Sequence, residues 1–111
     1  MRKIVLKHGN GNSSLTVVPF GATIISWIVD DVEMIFVSKT AILDGSKAIR
    51  GGVPICFPNF GPWKIGPQHG FARNSRDWKV QSEPKVDVNT GMPICPIPES
   101  VCIHMRILKF R

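Results

Sequence analysis

Ala22-Thr23-Ile24-Ile25-Ser26-Trp27-Ile28, then Val29-Asp30-Asp31, then Val32-Glu33-Met34-Ile35-Phe36-Val37, is the stretch whose reading decides the fold class. Both apolar runs are dense in β-branched and aromatic side chains, which suit a pleated, half-buried surface. The polar pair between them predicts a hairpin. Toward the N-terminus, Ile4-Val5-Leu6 and Leu15-Thr16-Val17-Val18 flank His8-Gly9-Asn10-Gly11-Asn12. An Asn-Gly pair between β-prone runs favours a tight turn because both residues tolerate positive φ. Gly21 breaks the chain before the longest run. Four short strands are therefore expected in the first 37 residues, arranged as an antiparallel meander.

Composition agrees with that reading. Nine prolines and ten glycines in 111 residues disfavour long helices and favour short strands joined by shaped turns. One domain is expected at this length, burying roughly 65% of the extended chain's surface. With 43% apolar and 20% charged residues, the chain has the make-up of a folded globular protein. The fold class predicted is all-β.

A net charge of +6 and a pI near 9.7 suit an anionic partner. The basic residues are scattered, with no run of five or more Lys/Arg, so the stripe of a nucleic-acid binder is missing and a phosphate-sized anion fits better. A small basic nucleic-acid-binding β-domain stays as the alternative from another class; steep salt dependence would mark it. Cys56, Cys95 and Cys102 form no CxxC pair, so neither a disulfide framework nor a zinc cluster is indicated. Lys7 and His8 interrupt the first apolar run too early for a signal peptide, and residues 9–29 carry too many polar groups and Pro19 to span a membrane. A soluble cytoplasmic protein with reduced thiols is expected, with no membrane partner.

From residue 38 to 74 the texture changes. Ten glycines and prolines fall between Gly45 and Gly70, yet Phe57, Phe60, Trp63 and Phe71 sit among them. A rigid, aromatic-packed loop of this kind builds sites. Gly9-Asn10-Gly11 lacks the third glycine of a dinucleotide loop, and no phosphate-loop, nucleophile-elbow or His-Glu-x-x-His motif is present. The chemistry-bearing candidates are Arg50 and Arg73, with Gln68 and His69 just before the second. Two guanidinium forks match phosphate oxygens, each charge-assisted contact contributing roughly 1.5 to 3 kcal/mol. Gln68 both donates to and accepts from hydroxyls. The competing reading makes Arg50 and Arg73 surface or carbonyl-capping residues. Glu33 reads as a solvated strand charge, His8 and His104 as structural residues, and the tryptophans and phenylalanines as core or loop packing.

At these residues the sequence resembles the glucose-6-phosphate 1-epimerases, or hexose-6-phosphate mutarotases, of the aldose 1-epimerase superfamily. The resemblance is carried by Gly21-Ala22-Thr23-Ile24-Ile25-Ser26-Trp27, Ile35-Phe36-Val37-Ser38, residues 47–63, and Pro67-Gln68-His69-Gly70-Phe71-Ala72-Arg73-Asn74, and covers about residues 4–80. It implies an incomplete galactose-mutarotase-like β-supersandwich with a hexose 6-phosphate on a concave sheet face. Arg50 and Arg73 would bind the phosphate, Gln68 the sugar, and His69 matches a histidine in the sugar site of related mutarotases. The implied reaction opens the pyranose ring and recloses it to exchange anomers. It is proton transfer alone, so no metal or organic cofactor is implied. The family's acid resembles a later histidine and its base a still later glutamate; neither has a matching motif here, so a catalytically inactive sugar-phosphate-binding fragment is the first alternative.

Residues 77–81 read as a return to strand. Beyond Gln81 the texture is lost. Residues 82–111 are expected to be a divergent tail on an N-terminal family segment, extended or disordered, with one strand near residues 101–107.

Overall fold

A computed structural model describes residues 1–9 and 11–80, together with the strands β6 (Lys85–Val86), β7 (Pro93–Ile94) and β8 (Met105–Arg106). Cys95, Cys102, His104 and most of the tail segment lie outside the described residues, as does Asn10.

The expected meander forms. Strands β1 (Ile4–Lys7), β2 (Ser14–Val18), β3 (Thr23–Val29) and β4 (Val32–Glu33) lie in that order in one antiparallel sheet. In β1, Ile4 faces Val17 and Lys7 faces Ser14, and the connection closes through the His8 amide on the Ser13 carbonyl at 2.9 Å. Between β2 and β3 the register shifts after Thr16: Thr16 faces Ser26 but Val17 faces Ile24, so Ile25 is the extra residue of a bulge. The bulge redirects Ile25 toward the buried cluster of Val18, Phe20 and Ile49, where Val37, Ala41 and Leu43 also pack.

The β3–β4 turn is made by Asp30 and Asp31, at φ 48° and 65°. Two successive positive φ values are what a two-residue type I′ hairpin demands, and aspartate tolerates them better than most residues.

Two sequence expectations are corrected here. The strand expected over residues 32–37 ends at Glu33, because the Glu33 carboxylate accepts from the Trp27 amide (2.8 Å) and the Ile35 amide (3.2 Å), replacing ladder partners. It also accepts from the Ser26 hydroxyl at 2.5 Å. Phe36 and Val37 instead meet the glycine pair: Gly52 N–H donates to the Phe36 carbonyl at 2.7 Å, and Val37 bridges Gly51. The second correction concerns aromatic residues expected to be packed. Trp27 is half exposed, and Phe36 and Phe60 are largely exposed.

Before β3, Phe20–Ala22 forms a 3-10 turn, and a second, Ala72–Asn74, packs against it. Gly21 makes that approach possible. It sits at φ 64°, its N–H donates to the Ser75 carbonyl at 2.9 Å, and a Cβ there would strike the carbonyl of Arg73. Ala22, Ala72 and Trp78 form the small second core, closed by the Trp78 indole N–H on the Ala72 carbonyl at 2.9 Å. The return to strand is β5 (Lys79–Val80), paired with β8.

Candidate functional site

The loop that carries the candidates is fixed at both ends by backbone pairing. Ile24 and Val53 exchange both hydrogen bonds, at 3.2 and 2.9 Å, so the chain following Arg50 runs beside β3. Farther on, Phe57 bridges Gly70, and its carbonyl accepts from the Phe71 and Ala72 amides at 2.9 and 3.3 Å. Only glycine fits at position 70: a Cβ would collide with the Phe57 carbonyl. The Phe57 and Phe71 rings meet edge to face with centroids 6.0 Å apart.

Within this frame, residues 67–70 form a turn closed by the Gly70 amide on the Pro67 carbonyl at 2.9 Å. His69 holds the third position at φ 64°, where a type II turn requires positive φ. A non-glycine residue there costs about 1–2 kcal/mol, so other contacts must hold it. Two do. His69 N–H donates to the Gly61 carbonyl at 2.9 Å, and Gly61 N–H donates back to His69 Nδ1 at 3.0 Å. On the other flank, Arg73 Nη2 donates to the Gln68 carbonyl at 3.0 Å.

The structure therefore brings Gln68 and His69, in the 67–70 turn, beside Arg73 of the Ala72–Asn74 3-10 turn, joined by the Arg73 bond to the Gln68 carbonyl. The Gln68 side chain is exposed, His69 and Arg73 are half-buried, and Arg73 Nε is buried with no partner among the described residues. Arg50 is exposed on the strand-like segment that bridges Val37, its carbonyl accepting from the Ser38 amide at 3.0 Å. No hydrogen bond joins its guanidinium to the Gln68–Arg73 segment among the described residues. Arg73 thus performs the carbonyl-capping role that competed with anion binding at the sequence level, while keeping one donor orphaned.

Asn59 was absent from the sequence candidates. Its Nδ2 donates to the carbonyls of Gly61 (3.2 Å) and Pro62 (3.0 Å), holding the segment that grips His69. An asparagine two residues before glycine in a proline-rich turn was the available signal. A separate hollow of about 410 Å³ lies among β1, β2 and β3, walled by Leu6, Leu15, Trp27 and Asp30, and contains none of the four candidates. No cluster of metal-ligating side chains occurs among the described residues. No helix there is long and apolar enough to cross a membrane.

Residues 2–93 match the family model described as aldose 1-epimerase. The chain belongs to the aldose 1-epimerase family. Among curated aldose 1-epimerase relatives, a protein of Cenchrus ciliaris bearing the provisional name glucose-6-phosphate 1-epimerase is 42% identical over 85 residues, 76% of this chain and 25% of that protein. One of the same provisional name from Escherichia coli is 38% identical over 82 residues, 71% of this chain and 27% of that one. The chain thus spans about a quarter of the length of these relatives.

Solved structures agree on the architecture. YeaD of Salmonella typhimurium, provisionally a mutarotase, superposes with a TM-score of 0.62 at 35% identity, covering 75% of this chain and 28% of that one. Slr1438 of Synechocystis superposes at 0.67 with 26% identity, covering 78% and 33%. The antiparallel meander with its glycine-rich loop is accordingly part of a mutarotase-like all-β fold.

Proposed function

We propose that this aldose 1-epimerase segment serves a hexose-6-phosphate 1-epimerase, with Arg50 and Arg73 binding the phosphate and Gln68 and His69 binding the sugar. The observation that carries the reading is the divided state of the Arg73 guanidinium. Nη2 is engaged by Gln68, whereas the buried Nε has no acceptor. An unsatisfied buried donor costs about 1–3 kcal/mol, and because Nε has no accessible surface an anion supplies its acceptor only as the turn opens at that edge. The net charge of +6 and the names of the Cenchrus and Escherichia relatives support a phosphorylated sugar over a neutral one.

The chemistry to be served moves protons only. A base takes the proton of the anomeric hydroxyl, the C1–ring-oxygen bond breaks as the C1 carbonyl forms, and an acid protonates the ring oxygen. Rotation about C1–C2 and reclosure give the other anomer. The residues described here bind and orient; the acid and base expected of the family lie at motifs this sequence does not match. Charge on the phosphate neutralised by two arginines holds the sugar end still while the far end of the ring opens.

Calorimetric titration tests the reading. Glucose 6-phosphate is expected to bind and glucose to bind far more weakly, with Arg73→Ala and Arg50→Ala each weakening the phosphosugar roughly ten- to a hundredfold. Equal affinity for glucose and its phosphate overturns it. A coupled anomerisation assay then divides the outcomes: turnover supports the enzyme, and binding without turnover selects the inactive binding fragment. Binding to oligonucleotides that falls steeply with salt, unaffected by the sugar phosphate, selects the nucleic-acid alternative.

A further inference from the structure

We infer that Asn59 is a positioning residue for His69: through Gly61 it fixes the imidazole proton on Nε2, so that the ring meets the sugar only as a hydrogen-bond donor. The inference rests on the sugar-site reading of His69, and its first measurement needs no sugar.

The side-chain amide of Asn59 faces two carbonyls, those of Gly61 and Pro62. Two acceptors admit only the NH2 end of the amide on that side, so the orientation of Asn59 follows from its neighbours. Gly61 then has every backbone group engaged with this network. Its carbonyl accepts from both Asn59 and His69, and its N–H donates to His69 Nδ1 at 3.0 Å. A backbone N–H has no lone pair to offer, so Nδ1 must bring one, and the neutral ring carries its proton on Nε2.

The Gly61 carbonyl, in the peptide that leads to Pro62, is held by Asn59 and His69, and through the backbone of the buried Gly61 that hold sets the direction of its N–H, which lies in the preceding peptide. Gly61 sits at φ 83°, and a Cβ built there meets nothing within 4 Å. The Phe60 ring lies 4.9 Å from the imidazole at 65° and constrains its tilt. With Nδ1 occupied, Nε2–H is the ring's remaining polar atom, and a donor can recognise only an oxygen lone pair, such as a hydroxyl or the ring oxygen of the sugar.

The test is made on the ¹⁵N-labelled chain with its imidazoles neutral. Imidazole ¹H–¹⁵N correlation is expected to show a protonated Nε2 and an unprotonated Nδ1 for His69, with a ¹⁵N–¹⁵N coupling between Gly61 N and His69 Nδ1 across the hydrogen bond. A protonated Nδ1 overturns the inference at once. In Asn59→Ala the coupling is expected to vanish and Gly61 amide exchange to accelerate at least tenfold, while the Trp78 indole signal stays in place. Retention of both at parental values overturns the inference. Asn59→Asp, which keeps the shape and removes the donor, is expected to behave like Asn59→Ala; loss of the fold in both variants would make Asn59 a stability residue and equally overturn it.

Glucose 6-phosphate titrated into the parent and Asn59→Ala forms the second arm, with affinity expected to fall roughly three- to tenfold in the variant, the value of one neutral hydrogen bond. Absent binding with the coupling intact removes the sugar reading and leaves the Asn59–Gly61–His69 link. Intact binding without the coupling removes the link alone.

Discussion

Gly61 and Gly70 offer a matched pair of perturbations. Both have left-handed backbone, at φ 83° and 74°, so alanine at either position incurs the same conformational cost of about 1–2 kcal/mol. They differ in what the new methyl group meets. At Gly61 there is open space, whereas at Gly70 the Cβ collides with the Phe57 carbonyl and lies 2.7 Å from Pro58 N. Relieving that collision means moving backbone, which adds about 1–3 kcal/mol. The movement also stretches the bonds that the Phe57 carbonyl accepts from Phe71 and Ala72, each contributing about 0.5–1.5 kcal/mol. Gly61→Ala is therefore expected to cost about 1–2 kcal/mol and Gly70→Ala about 3–8 kcal/mol, a large part of the 5–15 kcal/mol typical of a whole domain. Urea unfolding followed by tryptophan fluorescence reads the difference, provided the m-value is shared. Variants whose stabilities agree within about 0.5 kcal/mol would falsify the argument that the approach of Phe57, rather than backbone conformation alone, requires glycine at position 70.

Three further outcomes are expected. In the β3–β4 turn, Asp31→Gly removes a positive-φ penalty at φ 65° and should stabilise the chain by roughly 0.5–1 kcal/mol, seen as a rise of several degrees in thermal midpoint; a fall would argue against the type I′ geometry. Trp78→Phe deletes the buried indole bond to the Ala72 carbonyl, which still accepts from the Ser75 amide at 3.2 Å, so a loss of only about 1–2 kcal/mol is expected by denaturant titration. The Glu33 carboxyl is held below the usual range, first by the Ser26 hydroxyl and next by the Trp27 amide. A depressed folded-state value means stability that is present above the ordinary glutamate pKa and lost as pH falls through the lowered one. Glu33→Gln should flatten the acid limb of a pH–stability profile, and an unchanged limb would remove Glu33 from that role.

Local sequence determined the strands and turns because their causes are local. The β-branched runs, the breaks at Gly9-Asn10-Gly11 and Gly21, and the polar Asp30-Asp31 pair each act within a few residues, and the meander followed from them. The same proximity made the Gln68–Arg73 segment stand out, since its motif is contiguous. What a linear reading missed were competitions and long closures. Glu33 ends β4 by accepting amides that a neighbouring strand would have used, and nothing in its type distinguishes it from a solvated carboxylate until Trp27 and Ile35 are in place.

Tertiary structure alone decided how the site residues are employed. Arg73 caps Gln68 with one nitrogen and leaves another buried and unmatched, a division that depends on where the Gly21–Arg73 contact sets the 3-10 turn. Asn59 became visible only when the loop folded back to put two carbonyls against its amide. The physical reason is common to both. Side-chain type sets which hydrogen bonds a residue is able to make, but burial and the arrival of distant backbone groups decide which of them it makes.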